Sequence, residues 1–206
     1  MGKVLQFTSK PPAKLGFERV KQGKKSAPER RGQLNLFNAL AGKILQLPST
    51  AGPFEEALLL DERGDQRAVD SYWRAIEAGD CVADAYCNLG IFESRVGNTA
   101  RAFDCFSLSL KHDPRHFESH YNLGNLYFEM GDLRLARVHY ELAIEVNPAF
   151  PNAYFNLGLV HALNENFAAA IEVLSRYREL APGPDGLKAD ELLGSLKLST
   201  STKKRV

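Results

Sequence analysis

The chain has 206 residues, of which 44% are hydrophobic, 25% charged and 10% aromatic, the balance of one soluble domain able to bury a sizeable core. Net charge is only +1, but residues 1–31 carry nine Lys/Arg against two acids, Lys203, Lys204 and Arg205 close the chain, and the body between is net −9. No apolar run approaches the roughly 18 residues of a membrane span, and the N-terminus has neither a signal-peptide core nor, with Gln6 at its sixth position, a myristoylation pattern. Three cysteines (Cys81, Cys87, Cys105), an odd count with no CxxC pair, predict reduced thiols in a cytoplasmic protein.

Residues 1–32 are rich in Lys, Pro, Gly and Ser and poor in periodic apolar residues, so a mostly disordered basic tail is expected. Residues 33–50 form a short motif segment and linker, containing Gln33-Leu34-Asn35-Leu36-Phe37. This pentapeptide resembles the motif by which bacterial polymerases and repair factors dock on the sliding clamp. There a Gln bonds at a pocket rim while Leu and Phe bury in an apolar cleft. The resemblance implies Gln33, Leu34, Leu36 and Phe37 as clamp contacts. The same stretch also fits a helical cap, because Leu34, Phe37, Ala41, Ile44 and Leu45 fall at helical spacing. The basic flanks Lys24, Lys25, Arg30 and Arg31 could touch DNA phosphates weakly or simply be solvated.

From residue 51 a repeat sets the architecture. Asn-Leu-Gly recurs at 88–90, 122–124 and 156–158, a step of 34 residues. In the same step come Tyr86, His120 and Tyr154, then Ala102, Ala136 and Ala170, then Phe106, Tyr140 and Leu174, then Pro114, Pro148 and Pro182. The small residues let two helices approach, and the large ones fill the space beside them. Gly97 and Gly131 suit the left-handed end of a first helix, and the prolines stop a second. Ala68, Tyr72 and Ala75, with the turn Gly64-Asp65 and with Asp80 in place of Pro, mark a degenerate earlier unit. Four units are expected, about 51–82, 83–116, 117–150 and 151–184. A capping helix over 185–198, with Leu187, Leu192, Leu193 and Leu196, and a basic tail over 199–206 follow.

The pattern resembles the tetratricopeptide repeat (TPR) family, best in His120-x2-Leu123-Gly124-x2-Tyr127, Ala136-x3-Tyr140 and Pro148. Departures are Glu93 and His161 for Tyr, and Leu174 for Phe. The wording of the repeats also looks like bacterial proteins that join them to a MerR-type DNA-binding domain, which has no counterpart here. The resemblance implies an all-α, right-handed α-solenoid whose first helices line a concave groove. Carried over by register, the groove residues are Asn88, Ile91, Tyr121, Asn122, Asn125, Phe128, Phe155, Asn156 and Leu159, with Asp84, Glu118, Asn152, Arg95, Glu129 and Leu163 at the edges. An amide offers both a donor and an acceptor, so three asparagines one repeat apart can pair with any peptide backbone. This ladder resembles the one in O-linked N-acetylglucosamine transferases, although Asn can also be mere consensus. The Lys/Arg clamp of family members that bind chaperone C-termini is not matched: Phe54, Leu58, Glu118 and Asn122 stand there. A peptide with apolar or basic side chains fits better, and the chain's own basic tail is one candidate.

No catalytic set is convincing. Gly23-Lys24-Lys25-Ser26 hints at a phosphate loop, but Glu18 stands where the first glycine belongs. His112, His116 and His120 are four apart, with Pro114 breaking the helix between the first two, so no metal site and no cofactor are expected. The expectation is a non-catalytic interaction scaffold or adaptor that takes a client's peptide or helix in the groove. The alternative is a sliding-clamp-tethered accessory of bacterial DNA replication or repair. Direct nucleic-acid binding beyond weak tail contacts is not expected.

Overall fold

The computed structural model describes residues 13–21 and 52–203. The Gln33–Phe37 motif therefore lies outside the described residues. Residues 13–21 form a short extended run. The rest is helical: α1 (Pro53–Glu62), α2 (Ala68–Glu77), α3 (Val82–Arg95), α4 (Thr99–His112), α5 (Phe117–Glu129), α6 (Leu133–Val146), α7 (Pro151–Leu163), α8 (Phe167–Leu180) and α9 (Pro184–Lys203). Consecutive helices pair as hairpins, α1 with α2 through α7 with α8, each hairpin stacks on the next, and α9 covers α8. None of these helices is long and apolar enough to cross a membrane.

The repeat marks do the work their sizes suggest. A Cβ added at Gly90 would sit 2.6 Å from the Phe106 ring, and one at Gly124 would sit 2.6 Å from the Tyr140 ring. At Gly158 the clash would be with Leu174 at 2.5 Å. Each first helix therefore lies directly against the large residue of its second helix. Beside those residues Ala102, Ala136 and Ala170 are fully buried, and Ala68 and Tyr72 of the degenerate unit are buried in the same way.

The ends of the helices follow local chemistry. α4, α6 and α8 stop just before Pro114, Pro148 and Pro182. Gly64, Gly97 and Gly131 turn with φ of 70°, 83° and 80°, a left-handed conformation open to glycine at no steric cost. The corresponding residue of the last hairpin is Glu165, at φ 57°. Asp80, which stands where the other units have proline, accepts a hydrogen bond from the Phe54 amide at 3.1 Å. It satisfies one of the unpaired donors at the start of α1. α9 runs longer than the 185–198 expected from sequence. It buries Ala189, Leu192, Leu193 and Leu196 against the last hairpin, whereas Leu187 stays exposed.

Candidate functional site: the concave groove

The extended run 13–21 lies along the groove of its own chain, held by the asparagine ladder. It belongs to the tail expected to be mostly disordered. Asn156 accepts from the Leu15 amide at 2.7 Å and donates to the Leu15 carbonyl at 3.0 Å. Asn122 does the same for Glu18, at 2.8 Å in both directions. Asn88 does so for Val20, at 3.0 and 3.1 Å. One side chain per repeat thus satisfies both backbone groups of one peptide residue, and none of these bonds depends on what that residue is. The clamped residues are three and two apart. Over the five residues from Leu15 to Val20 an extended chain advances about 16 Å, two steps averaging about 8 Å, which is the lower end of the roughly 8–10 Å at which helices pack. The segment runs against the order of the repeats, from α7 to α3.

The amides are pre-aimed from beneath. Asn88 also donates to the Tyr72 hydroxyl at 3.1 Å, and that hydroxyl donates to Asp61 at 3.1 Å. Asn122 donates its second proton toward the Cys87 sulfur at 3.4 Å. Asn156 donates to Asn125 Oδ1 at 2.8 Å, an oxygen that also accepts from the Tyr140 hydroxyl at 2.7 Å. With Nδ2 committed to these partners, each Oδ1 is left facing the peptide amide. Asn125 gives its own amide proton to the Gly16 carbonyl at 3.0 Å, where the Tyr121 hydroxyl also donates at 2.8 Å. Burial raises the Tyr72, Tyr121 and Tyr140 phenols above the ordinary range, so they remain donors.

Not every groove residue expected from sequence touches the segment in the same way. Tyr121 contributes its hydroxyl rather than an apolar face. Phe155 and Leu159 are buried, with Phe128 half-buried beside them, in the cluster that receives Leu15. Ile91 lies in the cluster that holds Val20 and Phe17. Of the edge residues, Glu129 pairs with Lys14 at 3.0 Å and Asn152 donates to the Glu18 carboxylate at 3.3 Å. Sequence reasoning missed Asp61, 3.0 Å from Arg19, and read Tyr72 and Tyr140 only as packing marks.

Ser119, His116 and Asp84 are spaced like a hydrolytic triad: Ser119 Oγ to His116 Nδ1 is 3.0 Å, and His116 Nε2 to Asp84 is 2.9 Å. The arrangement works as a brace. His116 caps α5 by accepting from the Ser119 amide at 3.2 Å, which leaves Nε2–H to donate to Asp84. The Ser119 hydroxyl donates to Ser109, which donates to the Ala83 carbonyl. Ser119 and His116 have no exposed surface, so no substrate reaches them. Burial pushes the Cys87 thiol up to about 12, far from a nucleophilic thiolate. Among the described residues no group of three or more His, Cys, Asp or Glu side chains is placed to hold a metal ion. His112 instead stacks on Tyr86, and His120 bonds His139.

Helical hairpins stacked in series around a concave face define an α-solenoid of the interaction-repeat class. Family models for tetratricopeptide repeats match residues 105–138 and 124–165, so this stretch of the chain carries tetratricopeptide repeats. Tetratricopeptide repeat protein 8 of Mus musculus is 33% identical over 78 residues, which is 38% of this chain and 15% of that protein. BBSome complex member BBS4 of Bos taurus is 25% identical over 121 residues, 58% of this chain and 23% of that protein. The chain thus spans under a quarter of the length of these curated relatives. Among solved structures, MamA 41-end from Desulfovibrio magneticus RS-1 superposes with a TM-score of 0.61 at 23% identity, covering 74% of this chain and 86% of that one. The first TPR of Spaghetti (RPAP3) bound to HSP90 peptide SRMEEVD superposes at 0.54 and 21% identity, covering 58% of this chain and 93% of that one. At these identities the structural likeness concerns the fold.

Proposed function

We propose that this protein is a non-catalytic interaction module whose concave groove takes an extended peptide. The observation that carries this reading is the ladder: Asn88, Asn122 and Asn156, one per repeat, each engage the amide and the carbonyl of a single residue of an extended run. Backbone recognition of this kind supplies affinity whatever the side chains, and flanking pockets and charges then supply choice. The fold relative cited above holds the acidic peptide SRMEEVD of HSP90. This groove instead offers Asp61 and Glu129 to Arg19 and Lys14, which favours a basic client.

The test compares the full chain with a variant carrying Asn88→Ala, Asn122→Ala and Asn156→Ala as baits in host lysate, with recovered proteins identified by mass spectrometry. Clients should be captured by the wild type and lost by the variant, while the helical circular dichroism of the two stays alike. An identical set of partners on both baits would remove the groove from the protein's function.

A further inference from the structure

The segment in the groove is held by side chains as well as by backbone, and those contacts spell out what the groove selects. Lys14 pairs with Glu129 at 3.0 Å and lies 5.0 Å over the Phe17 ring. Leu15 packs into the cluster of Phe155, Leu159 and Tyr177. Phe17 lies parallel to Phe106 at 6.2 Å. Arg19 meets Asp61 at 3.0 Å. Val20 is 2% exposed, among Phe54, Tyr72 and Ile91. Two intervening positions are read loosely. A Cβ at Gly16 would meet nothing within 4 Å. The Glu18 carboxylate faces Lys21 of its own segment at 3.7 Å and the Asn152 amide at 3.3 Å.

We infer that residues 13–21 are a tethered self-ligand that closes the groove. We further infer that the external partner is a protein bearing an extended segment of the same pattern: basic, Leu, any, Phe, any, Arg, Val. This deepens, and rests on, the reading of the groove as a peptide site. Charge complementarity argues for it, since a basic segment lies on a body of net charge −9 through two ion pairs, Lys14 with Glu129 and Arg19 with Asp61, toward the two ends of the segment. Covalent attachment argues for closure from within the chain. Only residues 22–51 separate the segment from the solenoid, and a ligand tethered over such a length competes at an effective concentration of up to about millimolar. A client must displace it, so its apparent affinity falls by the fraction of chains that are open.

The probe is a fluorescein-labelled peptide of residues 13–21, titrated by anisotropy into two full-length chains. One is the wild type, and the other carries Phe17→Asp and Val20→Asp, which unseat the segment and leave the repeats intact. The open variant should bind at least about tenfold more tightly than the wild type. On that variant, a probe with Lys14→Glu and Arg19→Glu should bind at least about tenfold more weakly. Equal affinity of the two chains overturns the self-ligand and leaves the peptide groove standing. Equal affinity of the two probes overturns the pattern. No binding of either probe to either chain overturns the inference and the groove reading together. Hydrogen exchange on the unmodified chain needs no variant to fold: the amides of Leu15, Glu18 and Val20 should be protected and should lose protection under excess unlabelled probe. Exchange at the free-peptide rate before any probe is added overturns closure. A wild-type dimer by light scattering at the concentrations of the assay overturns closure within one chain.

Discussion

The solenoid and the segment in its groove are held by different kinds of contact. Each hairpin closes on itself across a few turns of helix, with Gly90 against Phe106 or Gly124 against Tyr140, sixteen residues apart. Among the described residues, no hydrogen bond joins the segment to a near neighbour. Its backbone bonds run to Asn88, Asn122 and Asn156 across separations of 68, 104 and 141 residues. The repeats are thus local structure added up, whereas the segment is a ligand that shares a chain with its receptor. Damage to a repeat should unfold the protein, and damage to the segment should open the groove and leave the solenoid standing.

The largest effect should come from the repeat side. Gly124→Val places carbon where the Tyr140 ring lies 2.6 Å from the ideal Cβ position. A loss of about 3 kcal/mol or more is expected, from overpacking between two helices that cannot part without disturbing their neighbours. Urea denaturation followed by circular dichroism measures it, and a loss below about 1 kcal/mol would mean that the hairpins yield more than their packing implies.

Next comes the ladder. Asn122→Ala removes both bonds to Glu18 and the contact with Cys87. At about 1 kcal/mol per bond, the segment should lose about 2 kcal/mol of docking. Hydrogen exchange at Glu18 should accelerate while the amides of α5 and α6 barely change. Equal acceleration in both places would erase the distinction between ligand and receptor.

Acid should reverse the order, weakening the repeats first. Burial, with a smaller contribution from the neighbouring His120, lowers His139 from 6.5 to about 4. Well above pH 6.5 the ring is neutral in both the folded and the unfolded chain and has no effect on stability. As pH falls from 6.5 toward about 4, the unfolded chain takes up the proton and the folded chain does not, so stability is lost. Discounted for partial exposure, the loss is about 2 kcal/mol. His139→Gln should flatten this part of a stability-against-pH curve, and an unchanged curve would assign the acid sensitivity elsewhere.

The smallest effect is a gain. Glu165 turns at φ 57°, where Gly64, Gly97 and Gly131 turn the other hairpins. Glu165→Gly should relieve left-handed strain and raise stability by about 1 kcal/mol, seen as a higher Tm. No gain would mean that the entropy glycine loses on folding offsets the relief.

Much of the solenoid was legible residue by residue. A step of 34 residues names its own helices because glycine, alanine and aromatic marks act on near neighbours. The ladder was legible only through register, since nothing in an isolated Asn-Leu-Gly says which way the amide points. Tyr72 and Tyr140 were read as filling, because a hydroxyl's partner on another helix leaves no local trace. Asp61 was missed although it stands one 34-residue step before Arg95 and two before Glu129, because its own unit is degenerate and lacks the Asn-Leu-Gly mark. The strain at Glu165 did leave a signal: it stands 34 residues after Gly131. The segment left only its basic charge, which made the tail one candidate for the groove, and no spacing that located it. Leu15, Phe17 and Val20 step by two and then three, matching neither a strand nor a helix, because their spacing answers to the groove.

By itself the sequence determined the hairpins, their number and their stops, since each depends on contacts within one or two repeats, whereas the concave face followed from the family resemblance. Tertiary structure alone decided what lies on that face. A segment of nine residues has too few near neighbours to order itself. It acquires a conformation only where three asparagines, brought into line by the stacking of three repeats, meet its backbone at the pitch of an extended chain.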